Sequence, residues 1–287
     1  MSRELISHED FTRFRDIFYH RTGIFFEVNK RYFVDKRLME RMDATGSRDF
    51  RSYLFLLNDP DGRDEWQELV NIMTVNETYF FREAHQFRMM VRDLLPDVTQ
   101  RLNPPRTVRI WVIPSSSGEE AYSVAIYLLE YWEGLATWDV EIVASDIDTE
   151  VLRAAERGIY TRRSVQHVPP ALLTKYFTPV KNGYLIHPTL RDSIRFTRVN
   201  LLNPDDLRAY SGFDLVFCRN LLIYFDDRAR QLAADALYQA LNDGGFLLLG
   251  HSESMSRISS RYHARRFSEG IVYQKPMGAT PNARMKP

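Results

Sequence analysis

The 287-residue chain carries 38 basic and 38 acidic side chains, so its formal charge is zero and its pI is about 7.1. That balance argues against nucleic-acid binding through a broad basic surface, which needs a strong positive field, and 44% hydrophobic with 26% charged residues excludes a mainly disordered chain. A single cysteine, Cys218, excludes an intrachain disulfide and a cysteine-built zinc cluster and fits a reducing cytoplasm.

In chain order, apolar residues recur at helical spacing from about Ser7 to Arg101, as in Phe11, Phe14, Ile17 and Phe18, then Leu54 and Leu57, then Trp66, Leu69, Val70 and Met73. The opening MSRELISHEDF lacks the apolar core of a secretion signal, and no later run approaches the roughly 18 residues of a membrane span. LNDPDGRDEW places an Asp-Pro-Asp-Gly turn between two helices. TVNETYFFRE, residues 74–83, reads as an amphipathic packing helix with Thr78 and Arg82 on one face at i, i+4 spacing.

Past the linker at 103–106 the pattern changes to β-rich runs at 106–114, 139–146, 193–200, 213–220, 244–251 and 270–275, separated by amphipathic helices. Strands alternating with helices predict an α/β fold with a mostly parallel sheet, closed by a terminal antiparallel hairpin on its edge. Between 161 and 192 the alternation breaks, and Asn182-Gly183 between β-formers predicts a hairpin in a small inserted β-subdomain. The expected division is a helical domain over 1–101, an α/β domain over 102–276 and a disordered tail over 277–287.

In such a sheet, ligands bind beyond the carboxyl ends of the strands. The first strand runs into SSSGEE, a small-residue turn entering a helix, without the glycine pattern of dinucleotide sites or a phosphate-binding lysine. An ordinary serine-rich N-cap explains it equally well. The second strand ends in Asp146, 28 residues past Gly118, where a carboxylate accepts hydrogen bonds from a ribose. Asp148 is the better cap for the following helix. The fourth ends in Arg219-Asn220, a pair that suits a ligand's carboxylate or base, or simple turn chemistry. Adenosine recognition without a phosphate clamp favours S-adenosylmethionine over NAD or ATP. The seven histidines show no metal-ligand spacing, so no metal is expected.

TVNETYFFREAHQF, IWVIPSSSGEEAYSVAI, ASDIDTEVLRAAERGIY, VNLL, FDLVFCRNLLIYF and GGFLLLGHSES, in this order, resemble the CheR family of chemotaxis receptor methyltransferases over about Ser7 to Lys275. The resemblance implies a Rossmann-like S-adenosylmethionine-dependent methyltransferase domain behind a helical receptor-recognition domain. It further implies methyl-ester formation on glutamate side chains in the cytoplasmic helical region of a methyl-accepting chemoreceptor, with S-adenosyl-L-homocysteine as product. Position by position it implies cofactor contacts at Asn76, Thr78, Arg82, Glu120, Asp146, Asn200, Leu201, Arg219 and Asn220. Asp146 would hold the ribose and Asn200 and Leu201 border the adenine, with Glu120 and Arg219 near the methionine part. Arg82 and Tyr224 would position the substrate carboxylate, and Lys36, Arg37 and Arg41 would meet the receptor.

This chain departs from the family pattern in three places. Val112-Ile113-Pro114-Ser115 puts bulk where small residues are usual, which bears on cofactor affinity. Glu40 and Asp43 interrupt the basic face of the second helix and weaken electrostatic steering. The KNGYLI hairpin is short, which makes a receptor pentapeptide tether by strand addition unexpected. Two other readings stay open: a non-catalytic cofactor-sensing adaptor, and a carboxyl methyltransferase with another acceptor.

Overall fold

The computed structural model describes residues 6–59, 62–102 and 106–278; residues 60–61 of the expected turn, 103–105 of the linker and 279–287 of the tail lie outside the described residues. Four helices come first. α1 (His8–Thr22) starts where the Ser7 side chain accepts the Asp10 N–H and stops at Gly23, whose φ of 74° a side-chain-bearing residue rarely adopts. α2 (Arg31–Thr45) is followed by α3 (Phe50–Asn58), opened by a capping box between Asp49 and Ser52, and by α4 (Arg63–Met73). Their apolar faces share a core that includes Phe11, Phe14, Leu38, Tyr53 and Leu69. The next two, α5 (Ala84–Met89) and α6 (Leu95–Arg101), joined through a π turn at Met90–Leu94, pack elsewhere. Their Phe87, Met90, Leu94 and Val98 belong to the core on one face of the sheet, with Ile110, Phe217 and Leu248.

The sheet follows from alternation: β1 (Val108–Val112), α7 (Glu119–Tyr131), β2 (Val140–Asp146), α8 (Thr149–Arg157), then β3 (Ile159–Tyr160), α9 (Pro170–Tyr176), β4 (Phe177–Val180), β5 (Gly183–Ile186) and α10 (Pro188–Asp192). β6 (Ile194–Arg198), α11 (Pro204–Leu207), β7 (Phe213–Cys218), α12 (Asp227–Ala240), β8 (Leu241–Leu249), β9 (His263–Phe267) and β10 (Gly270–Gln274) complete it. The main sheet has the order β6-β2-β1-β7-β8-β10-β9, parallel through β8, with β10 antiparallel to β8 and β9 antiparallel to β10. Every residue of central β7 is buried, which is why its sequence is apolar without alternation from Leu215 to Cys218, and its one acid, Asp214, is paired with Arg106. α12 covers the second face with Ala229, Ala233, Ala234 and Leu237 against Trp111, Val216 and Leu247.

Two local expectations need correction. The terminal hairpin contains β9, which the apolar runs missed: HARRF is an exposed edge strand whose charged side chains remove the alternating signal. At the inserted hairpin the two-residue turn is Lys181-Asn182, and Gly183 is already in strand, paired with Val180. Glycine is required there because φ is 147° and a Cβ would lie 2.1 Å from the Tyr160 carbonyl oxygen of β3. β3, β5 and β4 make a separate three-stranded sheet.

Candidate functional site

Chain order reverses direction in the sheet between β1 and β7, so the connections leaving their carboxyl ends pass to opposite faces, through α7 and α12, and leave a crevice. A cavity of ≈ 520 Å³ opens there, with walls from the strand ends, from the 74–83 segment and from the N-terminal helices. Asn76, Thr78, Arg82, Glu120, Asp146, Asn200, Leu201, Arg219, Asn220 and Tyr224 all line it.

On the strand-end wall, Asp146 is buried and accepts the Ser116 N–H (2.8 Å) and the Asp148 N–H (3.0 Å). Burial pushes its carboxyl up to about 6, against the pull of those backbone donors. Asp148 is the helix cap: one oxygen accepts the Glu150 and Val151 N–H groups, the other accepts Thr74 Oγ1 at 2.6 Å and Asn76 Nδ2 at 2.8 Å. The two acids therefore divide their roles, and Asn76 ties its segment to α8. Asn200 Nδ2 donates to the Arg21 carbonyl at the end of α1 (2.7 Å), so this border of the cavity also joins the N-terminal helices to the sheet. The β1 turn brings Ile113, Pro114, Ser115 and Ser116 into the lining, with the Ile113–Pro114 peptide bond cis and Ile113 packed into the second-face core.

Arg219 lies behind, its side chain almost wholly buried. It donates to Glu120 Oε2 and to the Arg82 carbonyl, both at 2.8 Å, and stands 3.4 Å from Glu83 Oε2. Burial pushes the Glu120 carboxyl up, and Arg219 opposes the shift. Glu120 Oε1, Arg219 Nε and Ser116 Oγ are buried with no hydrogen-bond partner, leaving unused donors and acceptors around one cavity. Cys218 is buried, and desolvation raises its thiol well above the usual value, so it is no nucleophile.

The 74–83 segment is not a helix. The chain runs without regular secondary structure over Val75–Tyr79 and then turns at Phe80–Glu83, with Phe81 and Glu83 at φ 60° and 57°. Tertiary contacts override the helical spacing: Phe80 N–H donates to the Ser164 carbonyl, Phe81 N–H donates to Ser123 Oγ, and both rings enter the sheet-side core. Arg82 sits half-buried on this turn with Nη1 on the Glu77 carbonyl at 2.9 Å and its guanidinium 5.8 Å from the Tyr79 ring. Tyr224 faces Arg82's charge, yet burial keeps its phenol raised, so it remains an O–H donor at neutral pH.

Glu83 and Glu253 were not singled out from the sequence. Glu83 Oε2 accepts Gln86 Nε2 and its Oε1 lies 3.0 Å from His251 Nδ1; burial alone would raise it, but Arg219 and His251 hold it below the usual range. Glu253 accepts the N–H groups of Asn220, Leu222 and Gly250, fixing the loop after β7. FFRE and GHSE contain these acids, but only the fold shows which backbone donors they collect.

On α2, Lys36 is exposed, whereas Arg41 pairs with Glu65 through two hydrogen bonds of 3.0 and 2.5 Å, and Arg37 donates to the Ile72 carbonyl and covers the Phe33 ring. Two of the three cations are committed within the helical core. Among the described residues no helix is long and apolar enough to cross a membrane.

Two family models match the chain: "CheR methyltransferase, all-alpha domain" over residues 9–74 and "CheR methyltransferase, SAM binding domain" over residues 76–271. "Chemotaxis protein methyltransferase 2" of Vibrio cholerae serotype O1 is 49% identical over 277 residues, covering 96% of each chain. "Chemotaxis protein methyltransferase" of Escherichia coli K12 is 36% identical over 267 residues, covering 92% of this chain and 90% of that one. The protein of the same description from Borreliella burgdorferi is 33% identical over 255 residues, with coverages of 87% and 89%.

Proposed function

This chain belongs to the CheR methyltransferase family, a family that uses S-adenosylmethionine, and from that premise we propose that it esterifies glutamate side chains of methyl-accepting chemoreceptors in the cytoplasm. The observation that carries the reading is the pairing, in one cavity, of buried polar atoms left without partners and a second, cationic site at Arg82. Glu120 Oε1 and Arg219 Nε, both buried and unpartnered, suit the ammonium and carboxylate of a methionine moiety. Asp146, a buried carboxylate at the end of β2, suits the hydroxyls of a ribose, and Asn200 and Leu201 border the same end. The residues fit the cofactor, whose sulfonium methyl supplies an electrophile already activated for transfer.

The protein's own task is then placement. A glutamate acceptor is ionised at pH 7, so no strong general base is needed. Arg82 keeps guanidinium donors beyond the one spent on Glu77, and Tyr224 offers a neutral O–H beside it. Together they would align one carboxylate oxygen with the methyl while leaving its lone pair free to attack. Alignment and exclusion of water account for roughly 7–11 kcal/mol of barrier in well-oriented reactions. Titration with S-adenosylmethionine, followed by transfer to a receptor cytoplasmic fragment, tests the reading. Base-labile methyl groups on glutamates are expected; a folded protein that binds the cofactor and labels no receptor fragment contradicts it.

A further inference from the structure

The mouth of the cavity carries apolar side chains in solvent from three segments far apart in the chain. Phe25 ahead of α2, Val75 in the 74–83 segment and Ile223 after β7 are 39, 47 and 46% exposed, and all three line the cavity. Their backbone is held in place. The Phe25 N–H donates to the Tyr224 carbonyl at 3.2 Å beside the Ile24–Phe225 bridge, joining the N-terminal segment to the loop that carries Ile223. Thr74 and Asn76, on either side of Val75, both bind Asp148. Apolar groups fixed in solvent around a cavity entrance mark a contact surface.

Charge at the same entrance is mixed. Exposed Lys30 stands among exposed Glu27 and Glu77, and exposed Arg163 lies 3.8 Å from Glu77, so two cations face two carboxylates. Such a rim does not draw in an acidic surface by field alone. α2 adds little, since Arg37 and Arg41 are engaged internally.

We propose that this chain selects its acceptor through the apolar rim: a helix whose glutamate is flanked by apolar side chains one turn away covers Phe25, Val75 and Ile223 while the carboxylate passes inward to Arg82. The inference rests on the methyltransferase reading above and adds the surface that chooses the acceptor. Any glutamate reaching Arg82 enters through this mouth, so the element that carries it lies on the rim. On a helix, positions three and four away share the glutamate's face and meet the rim with it. Apolar groups there bury Val75 and Ile223, whereas acidic groups would gain no net attraction from a rim whose charges balance.

The test measures initial rates against the concentration of a chemoreceptor cytoplasmic fragment for the wild-type protein, for Val75→Ser and Ile223→Ser singly and together, and for Leu232→Ser. Leu232, 52% exposed on α12 and outside the cavity lining, controls for loss of surface apolar area. Cofactor affinity is followed by calorimetry. Each rim variant is expected to raise KM for the fragment about fivefold to tenfold, with kcat and cofactor Kd within about twofold and Leu232→Ser unchanged. In the wild-type protein, exchanging the acceptor glutamate's apolar neighbours for aspartate raises KM likewise, and the double rim variant no longer distinguishes the two fragments. Unchanged KM in the rim variants, with wild-type methylation intact, overturns the rim and leaves the methyltransferase reading standing. Failure of the wild-type protein to methylate any of a panel of receptor fragments overturns that reading first and the rim with it.

Discussion

Arg219 and Arg82 line one cavity, 137 positions apart in the chain, and are held in opposite ways. Arg219 is buried at the end of β7, between Glu120 and Glu83 and on the Arg82 carbonyl, within a wall whose parts are fixed by backbone hydrogen bonds at Asp146, Asn200 and Asn220. Arg82 is half-buried on an irregular turn and spends one donor on the Glu77 carbonyl. The strand-end wall is organised before any ligand arrives. The wall across from it holds donors in reserve. On the proposed reading the first wall takes the cofactor, because its fixed frame leaves Glu120 Oε1 and Arg219 Nε unpartnered at defined positions, and the second takes the acceptor, because Arg82 keeps free donors on an irregular turn.

The contrast is broken most severely at Arg219. Arg219→Ala leaves Glu120 buried without its cation, and loss of one partner of a buried pair costs about 3–5 kcal/mol. Chemical denaturation is expected to show that loss, and Arg219→Ala combined with Glu120→Gln is expected to recover part of it. A smaller effect is expected at Asp146. Asp146→Ala removes an acceptor that also holds the Ser116 N–H, and calorimetry is expected to show cofactor affinity lower by about a hundredfold, near 2.7 kcal/mol.

A gentler probe of the same wall is pH. Asp146 in the free protein titrates at about 6, raised by burial, so the stability it contributes is fully present below the ordinary carboxylate range and is lost as pH rises through 6. Hydroxyl donors favour the ionised form, so ligand affinity runs the other way and increases with pH through the same interval. The cofactor Kd at pH 5 is expected to be about tenfold weaker than at pH 8, with a plateau above about pH 7. A Kd independent of pH would detach Asp146 from the ligand.

The first wall was far easier to read from sequence than the second. Buried parallel strands are continuous apolar runs, so the polar residues that stop them, Asp146 and Arg219-Asn220, stand out where ligands bind. The mostly parallel sheet and its antiparallel last run followed from the same pattern, although the charged edge strand β9 did not. By contrast, 74–83 has helical spacing but folds as an irregular segment and a turn, because Phe80 and Phe81 bury in a core set by residues far along the chain. Glu83 and Glu253 escaped notice for a related reason: beyond a local contact each, Glu83 reaches Arg219 and His251 and Glu253 the Asn220 and Leu222 N–H groups, remote partners that leave no local mark. On α2 the family resemblance pointed to Lys36, Arg37 and Arg41. It did not show that Glu65 and the Ile72 carbonyl already hold two of them.

The division between the walls is tested most directly at Arg82, by measuring cofactor affinity and single-turnover methyl transfer to a receptor fragment with Arg82→Ala and the wild-type protein side by side. The account predicts transfer slower by about a hundredfold with cofactor Kd within about threefold, since the lost interaction is made with the acceptor in the transition state. Undiminished transfer at unchanged affinity, or a loss confined to cofactor binding, would contradict it.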